Sequence, residues 1–455
     1  MIPYHIGNNV ETVCNTIDEK ASGTYPEKFL YHIWDEQHIK YKEYKKKILK
    51  TVSGKDLKIH FQGHFNTMSG ADFKNALVEI DDTQYTGDIE IHLCTTDWYN
   101  HQHDQNPAFN SVMLHIVLRH NHHLDITLNE KNESIEILEL RHIISDDIEK
   151  LFKKYTAHEY LVKEKYCNLF SNIRPEFFEK YLIRSGLERL EKKIKRFKAE
   201  LSFVSMDQLF FQSILEAMGY SKNKHQFYMF SKDNSWLGFM QKYANFSPKT
   251  LHTNTVSDAR SLHFDSFVDE LVQKACFDSE KYGWYLFRIR PCNHPKTRLL
   301  QIAPFVYESF FTSMTTEIVK LFSFTKTDFS MSNFKKRLYE KFSIENKYTK
   351  YKLGKDRINT VVVNIFIPIL IIYSKIIDDA QLETHCYQIY NEYEGLEANN
   401  ITNIMRKYMS EDQFVLSEKK NITQQGVLNI YHKFCINNLC KMCKEYMLNN
   451  INQNG

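Results

Sequence analysis

Glycine and proline are scarce, 14 and 9 among 455 residues, which excludes a collagen-like, low-complexity or extensively disordered chain. Long apolar runs are lacking as well. The most apolar stretch, VVVNIFIPILIIY from Val361 to Tyr373, contains Asn364 and Pro368 and falls short of the roughly 20 residues a membrane-spanning helix needs. It reads as a buried core helix, and no membrane partner is expected. An excess of one charge is also missing: 59 basic against 56 acidic side chains leave +3, so any nucleic-acid surface has to be local. The opening MIPYHIGNNVETVCNTIDEK has no basic segment followed by an apolar run, so no secretory signal is expected and the cytoplasm is the expected setting. Nine cysteines, an odd number and mostly scattered singly, argue for thiols rather than a disulfide framework.

What is present is aromatic and apolar mass, with 32 Phe, 27 Tyr and 42% hydrophobic residues, enough for two or three folded domains. Phe29, Leu30, Ile33 and Trp34 recur at helical spacing just after Pro26, predicting a helix from Glu27. The texture then changes. LKIHFQGHFN, FKNALVEI, GDIEIHLC and SVMLHIVLRH alternate polar and apolar residues between turn-rich segments, predicting four strands, with a fifth expected at SIEILEL. From Ser145 the pattern reverts to a period of 3.6, as in GLERLEKKIKRFKAEL. The expected class is α+β: a small mixed sheet with a flanking helix over residues 25–145, then a larger, mostly α-helical domain over 146–450.

Histidine is unevenly spread. Twenty in the chain predict about two or three between His60 and His115, and six are found, beside Asn66, Asp72, Glu90, Asp97 and Asp104. In GDIEIHL, the period of two sends Glu90 and His92 to one face of the strand and Ile89, Ile91 and Leu93 to the other. The DDTQYTG turn lets FKNALVEI pair antiparallel with that strand, bringing Asp72 toward Glu90 and His92. Two carboxylates beside an imidazole suit a hard divalent cation such as Mg²⁺ or Mn²⁺, with His92 able to deprotonate a water. Asp72, Glu90 and His92 are therefore the candidate catalytic set, Asp72 and Glu90 its metal ligands. Glu27, Asn66, Asp97, His101 and His103 form a second tier of ligands or orienters. The plain alternative reads DWYNHQH as a capped turn, with Asp97 bonding the backbone and Trp98 packing on the sheet, and His60, His64 and His115 as packed or surface strand residues.

A helix with Glu27, a strand opening on Asp72 and a strand carrying Glu90-Ile91-His92 resemble the PD-(D/E)XK nuclease superfamily. The resemblance covers the first third of the chain. It implies a restriction-endonuclease-like unit in which an aspartate and a Glu-x-Lys hold the metal and activate water. His92 stands where that pattern has lysine, and carries less fixed positive charge. A second resemblance spans nearly the whole chain. EKFLYHIW, GHFNTMSGADFKNALVEI, GDIEIHLCTTDWYNHQHD, RIRPCNHPKTRLLQIA, RINTVVVNIFIP and QQGVLNIYHKFC are similar to the bacterial family of unknown function numbered 2851, common in Bacteroidetes. Gly70-Ala71-Asp72-Phe73 replaces that family's expected Gly-Pro-Asp-Phe and keeps its aspartate.

In the helical part, RIRPCNHPKTRLLQIA sets Arg288, Arg290 and Arg298 around two prolines, a basic loop suited to phosphates of a nucleic-acid backbone or to structural pairing within the fold. Arg189, Lys192, Lys193, Lys195 and Arg196 read as a solvated helix face. Cys435, Cys440 and Cys443, with His432 three residues ahead, offer four ligands for a structural Zn²⁺, against the alternative of thiols without a metal. The leading expectation is a metal-dependent phosphodiesterase acting on DNA or RNA. A non-catalytic scaffold of nuclease-like fold, or a hydrolase using the histidines around Zn²⁺ on a non-nucleic substrate, are the alternatives.

Overall fold

A computed structural model describes residues 25–35, 39, 48–66, 70–144, 147–156, 170, 173–244, 256–277, 281–287, 289–323, 329–343, 347–348, 351–436 and 439–452. The chain divides into two units, Met1–Thr156 and Ala157–Gly455. An α+β class holds: a mixed sheet comes first and a mostly helical region follows.

Unit one contains the helix α1 (Glu27–Asp35) and the strands β1 (Ile48–Lys50), β2 (Asp56–Phe61), β3 (His64–Phe65), β4 (Phe73–Ile80) and β5 (Thr83–Cys94). The helix α2 (Asp97–Asn100), the strands β6 (Val112–Arg119), β7 (Ile126–Leu128) and β8 (Ser134–Glu139), and the helix α3 (Ile148–Thr156) complete it. Strand order is β1-β2-β4-β5-β6-β8-β7, with β3 also on β4. All five expected strands are present. The expected run LKIHFQGHFN breaks into β2 and β3, and the short β1 and β7 add to the sheet, because three-residue strands carry too little alternation to read.

Pairing from β1 to β5 is antiparallel. The β4–β5 hairpin turns on Asp81 and Asp82, whose φ values of 45° and 62° are those of a type I′ turn that matches the twist of its strands. β5–β6 and β6–β8 are parallel, so a crossover must leave the end of β5 and return to the start of β6. Residues 95–111, with α2 and two 3₁₀ turns, make that crossover. Central parallel strands are covered on both faces. Ile89, Ile91, Leu114 and Ile116 are each 0% exposed on one face, and Trp98 and Phe109 of the crossover pack with Ala71, Val112 and Ile135 in a separate small core. The helix α3, expected with the helical part, belongs to the sheet unit: Phe152 and Tyr155 lie 5.1 and 5.2 Å from Phe29 of α1, ring centre to ring centre.

Unit two is built on one large apolar core. Its helix Pro175–Leu201 packs along Asn421–Ile430 so closely that glycine is required at the crossing. A Cβ on Gly186 would stand 2.1 Å from the Ile422 carbonyl oxygen, and one on Gly426 would stand 2.1 Å from that of Leu182. The helical run Lys355–Ile376, 22 residues with a π segment at Val362–Phe366, is long and apolar enough to cross a membrane. Of its apolar window 72% is buried inside the protein, as the core-helix reading expects.

Backbone cannot yield as a flexible side chain does, so Gly186→Ala and Gly426→Ala should each destabilise the protein by about 2–4 kcal/mol. Urea denaturation checks this, and the double variant should cost less than the sum, because both methyl groups open one crossing.

Candidate functional site

At the start of β4 the antiparallel ladder with β5 shifts register between Phe73 and Ala76. Side chains take over where the ladder fails. The Asp72 N–H donates to Glu90 Oε2 (3.0 Å) and the Ile91 N–H donates to Asp72 Oδ2 (2.9 Å). Each carboxylate thus clamps the other's strand, and the two candidate acids are held side by side. Tyr31 of α1 hydrogen-bonds Asp72, while Asn66 Nδ2 donates to the Ala71 carbonyl (2.9 Å) and braces the turn before it.

Parallel register sets His115 of β6 opposite Glu90, so Glu90, His92 and His115 share a face of the sheet. Those three are 7%, 1% and 0% exposed. The crossover folds His101 and His103 over this row. His103 stacks on Phe109 at 3.7 Å and packs against Trp98. Its Nε2 lies 3.3 Å from Glu90 Oε1, and His92 Nε2 lies 3.7 Å from the same oxygen. His92 also reaches His101 Nδ1 through Nε2 (3.1 Å) and His115 Nε2 through Nδ1 (2.9 Å). Among the described residues, the one trio of His, Cys, Asp or Glu whose ligand atoms all lie within 4.8 Å of one another is His92, His101 and His103.

Burial acts oppositely on the two kinds of group. It pushes Glu90 up, aided by Glu27 and Asp88 against the Asp72 N–H and Lys74, and it pushes Asp72 up, aided by Glu90. Glu27 is raised by burial too, while His101 and His103 draw it down, which places the α1 carboxylate within electrostatic reach of the cluster. His92 is driven far below the ordinary imidazole range by burial and then by His115, His103 and His101. Burial, with His103 and His120, holds His115 down at about 3.

Neutral imidazoles beside carboxylates that resist ionisation are a donor set to which a divalent cation is complementary. Donation from His92 Nδ1–H to His115 Nε2, one of the two directions open to this pair, would leave the Nε2 lone pair of His92 directed at His101 and His103. It also leaves His115 Nδ1 buried without a partner, an orphan that the His92–His115 bond has to offset.

A protein-family model matches residues 27–400, a span that includes the whole cluster. The chain belongs to DUF2851, a family described as proteins of unknown function. No curated protein and no solved structure matches it. For this DUF2851 member the remaining sequence candidates fall elsewhere. Asp97 bonds its own turn: its Oδ2 accepts from the Cys94 N–H (2.9 Å) and its Oδ1 from Asn100 Nδ2 (3.3 Å), while Trp98 is fully buried. Arg288 lies outside the described residues, Arg290 is exposed, and Arg298 is 5% exposed and donates to Gln301, Asn293 and Tyr220. His432, Cys435, Cys440 and Cys443 do not converge: Cys443 Sγ sits 3.5 Å from the Tyr181 hydroxyl and Cys435 Sγ 3.9 Å from Met405 Sδ.

Two site residues were missed by sequence reasoning. His115 was read as packing, although it is the one polar residue inside VMLHIVL, and Tyr31 carries no signal beyond its place on α1.

A depressed folded-state pKa stabilises above the unfolded value and is lost as pH falls. Unfolded His115 takes a proton below about 6.5, the native residue only near 3, so in chelator stability should fall toward acid. In His115→Gln, which keeps an acceptor for His92, this acid slope should lessen by about 1.4 kcal/mol per pH unit, read by denaturant titrations between these limits.

Proposed function

We propose that the sheet unit is a divalent-metal-dependent hydrolase of phosphodiester bonds, acting on nucleic acid. The observation that carries this reading is the meeting of His92, His101 and His103 with Glu90 and Asp72 on adjacent strands. The order of acids supports the phosphodiester class: a helical Glu27, Asp72 at a strand opening and Glu90 two before His92, as the PD-(D/E)XK resemblance implies. His92, His101 and His103 would hold the cation with Glu90, a mixed imidazole and carboxylate set that fits Mn²⁺ or Zn²⁺ better than Mg²⁺.

Such a cation supplies an acidified water and polarises a phosphoryl oxygen. The chain's own residues do the rest. His115 fixes the ring of His92 and its tautomer. Asp72, lifted by burial and Glu90, is suited to exchange a proton at its carboxylate near neutral pH. The fixed positive charge missing at His92 has a substitute in Lys74 of β4, which pairs with Asp88 (2.7 Å) and draws the Glu90 pKa down.

A second reading, a zinc hydrolase of a non-nucleic ester or amide, is favoured by the imidazole trio alone.

Purified protein should contain a transition metal and cut single-stranded DNA, duplex DNA or RNA in Mn²⁺. Asp72→Ala with Glu90→Ala should slow cutting at least about 100-fold. Polymers left intact in Mn²⁺, Zn²⁺ and Mg²⁺ would overturn the nuclease reading, and stoichiometric zinc with ester hydrolysis would establish the second. His115→Gln, by equilibrium dialysis, should weaken metal binding about 10–100-fold without removing a ligand.

A further inference from the structure

The helix Pro175–Leu201 carries five basic residues between 189 and 196 that sequence reasoning assigned to solvent. Lys192 and Lys195 are exposed, but Arg189, Lys193 and Arg196 are turned toward neighbouring helices and half-buried. Arg196 is neutralised there by Glu200 and Glu216. Arg189 and Lys193 are not. Both converge on one neutral acceptor: Gln425 Oε1, on the 1%-exposed Gln425 of Asn421–Ile430, takes the Arg189 Nε–H (3.0 Å) and the Lys193 ammonium (2.9 Å). Lys193 donates also to Asn364 of the π segment Val362–Phe366. Among the described residues, neither Arg189, Lys193 nor Lys224 has a carboxylate within ion-pair distance, and the Nη donors of Arg189 and the ammonium of Lys224 have no protein acceptor.

Three further observations point outward from these groups. Lys193 is held well below its ordinary pKa by burial and by the positive charges of Arg189 and Lys224, so like charges here crowd one another. Lys224 stands on Tyr220–Asp233, next to the kink at Asn223, and is held below its ordinary pKa first by burial, with Glu216 attractive and Arg196, Arg357 and Arg189 repulsive. Arg357 is fixed over the Tyr220 ring at 3.3 Å and donates to the Ala217 carbonyl, with its Nε buried and unpaired. Arg189 and Lys193 thus share two neutral amides between them, with Lys224 and Arg357 within electrostatic reach and the carboxylates of Glu200 and Glu216 already committed to Arg196. Folding gains nothing from that repulsion. π segments recur at functional positions, and this one supplies Asn364.

We propose that Arg189, Lys193 and Lys224, on the floor formed by Gln425 and Asn364, bind a phosphate group. A guanidinium fork with its Nη donors unused within the described protein and two ammonium groups match a tetrahedral dianion better than a carboxylate, which would leave one cation unpaired. The phosphate belongs either to a free or mononucleotide anion or to a nucleic-acid backbone. The site is independent of the metal reading: it lies in the other unit and uses no residue of the sheet.

The test uses the full chain with chelator, in phosphate-free buffer at constant ionic strength, following thermal unfolding during titration with inorganic phosphate, AMP or a short single-stranded oligonucleotide. Wild type should show a saturable rise in Tm. Lys193→Gln should start at a higher Tm without phosphate, because a like charge is gone, and respond less. Lys224→Gln should weaken apparent affinity about tenfold, and it carries the comparison if the Lys193 variant does not fold. Equal affinity for phosphate and oligonucleotide assigns the free anion, and tighter oligonucleotide binding assigns the backbone. No saturable rise with any of the three, or an unchanged response in Lys224→Gln, overturns the proposal. Metal content is measured on the same preparations, so loss of one site leaves the other readable.

Discussion

Parallel pairing of β5 with β6 is the constraint on which the polar cluster depends. It places His115 opposite Glu90, gives both strands two covered faces, and obliges the chain to return over the sheet between residues 95 and 111. That return carries His101 and His103. Had β6 paired antiparallel, a short turn would have sufficed and no imidazole would lie over Glu90. The separate small core of Trp98, Phe109, Ala71, Val112 and Ile135 anchors the crossover, so His103 is held by apolar packing on Trp98 and Phe109 as well as by the acid it faces.

The electrostatics follow from that geometry. The carboxylates of Asp72 and Glu90 and the imidazoles of His92 and His115 stand in a region with little water, and each kind of group is pushed toward its neutral form. The reciprocal bonds of Asp72 and Glu90 to strand N–H groups fix both acids in place beside the imidazoles. The cations around Gln425 present the inverse case, an interior short of negative charge.

Much of the sheet was legible because its signals are local. Alternation in GDIEIHL placed Glu90 and His92 on one face, and the two aspartates of the turn supplied the hairpin that brought Asp72 alongside. The role of His115 was not legible, since which residue faces Glu90 depends on a register between strands that share no turn. The same limit applies to Arg189 and Lys193. Their helix has basic residues at a spacing that fits solvent, and only the approach of Asn421–Ile430 and the π segment reveals that two of them are enclosed. Cysteine spacing left both a zinc site and metal-free thiols open, and in space Cys435 lies beside Met405 and Cys443 beside Tyr181.

The glycine crossing of Pro175–Leu201 and Asn421–Ile430 joins segments far apart in the chain: Ser185 Oγ donates to the Gly426 carbonyl across 241 residues. The first long helix of the unit therefore waits for nearly the last one to be made before its inner face is covered. Closing so long a loop sets a late, non-local step in folding, and during synthesis the intervening helices must be held with that groove open.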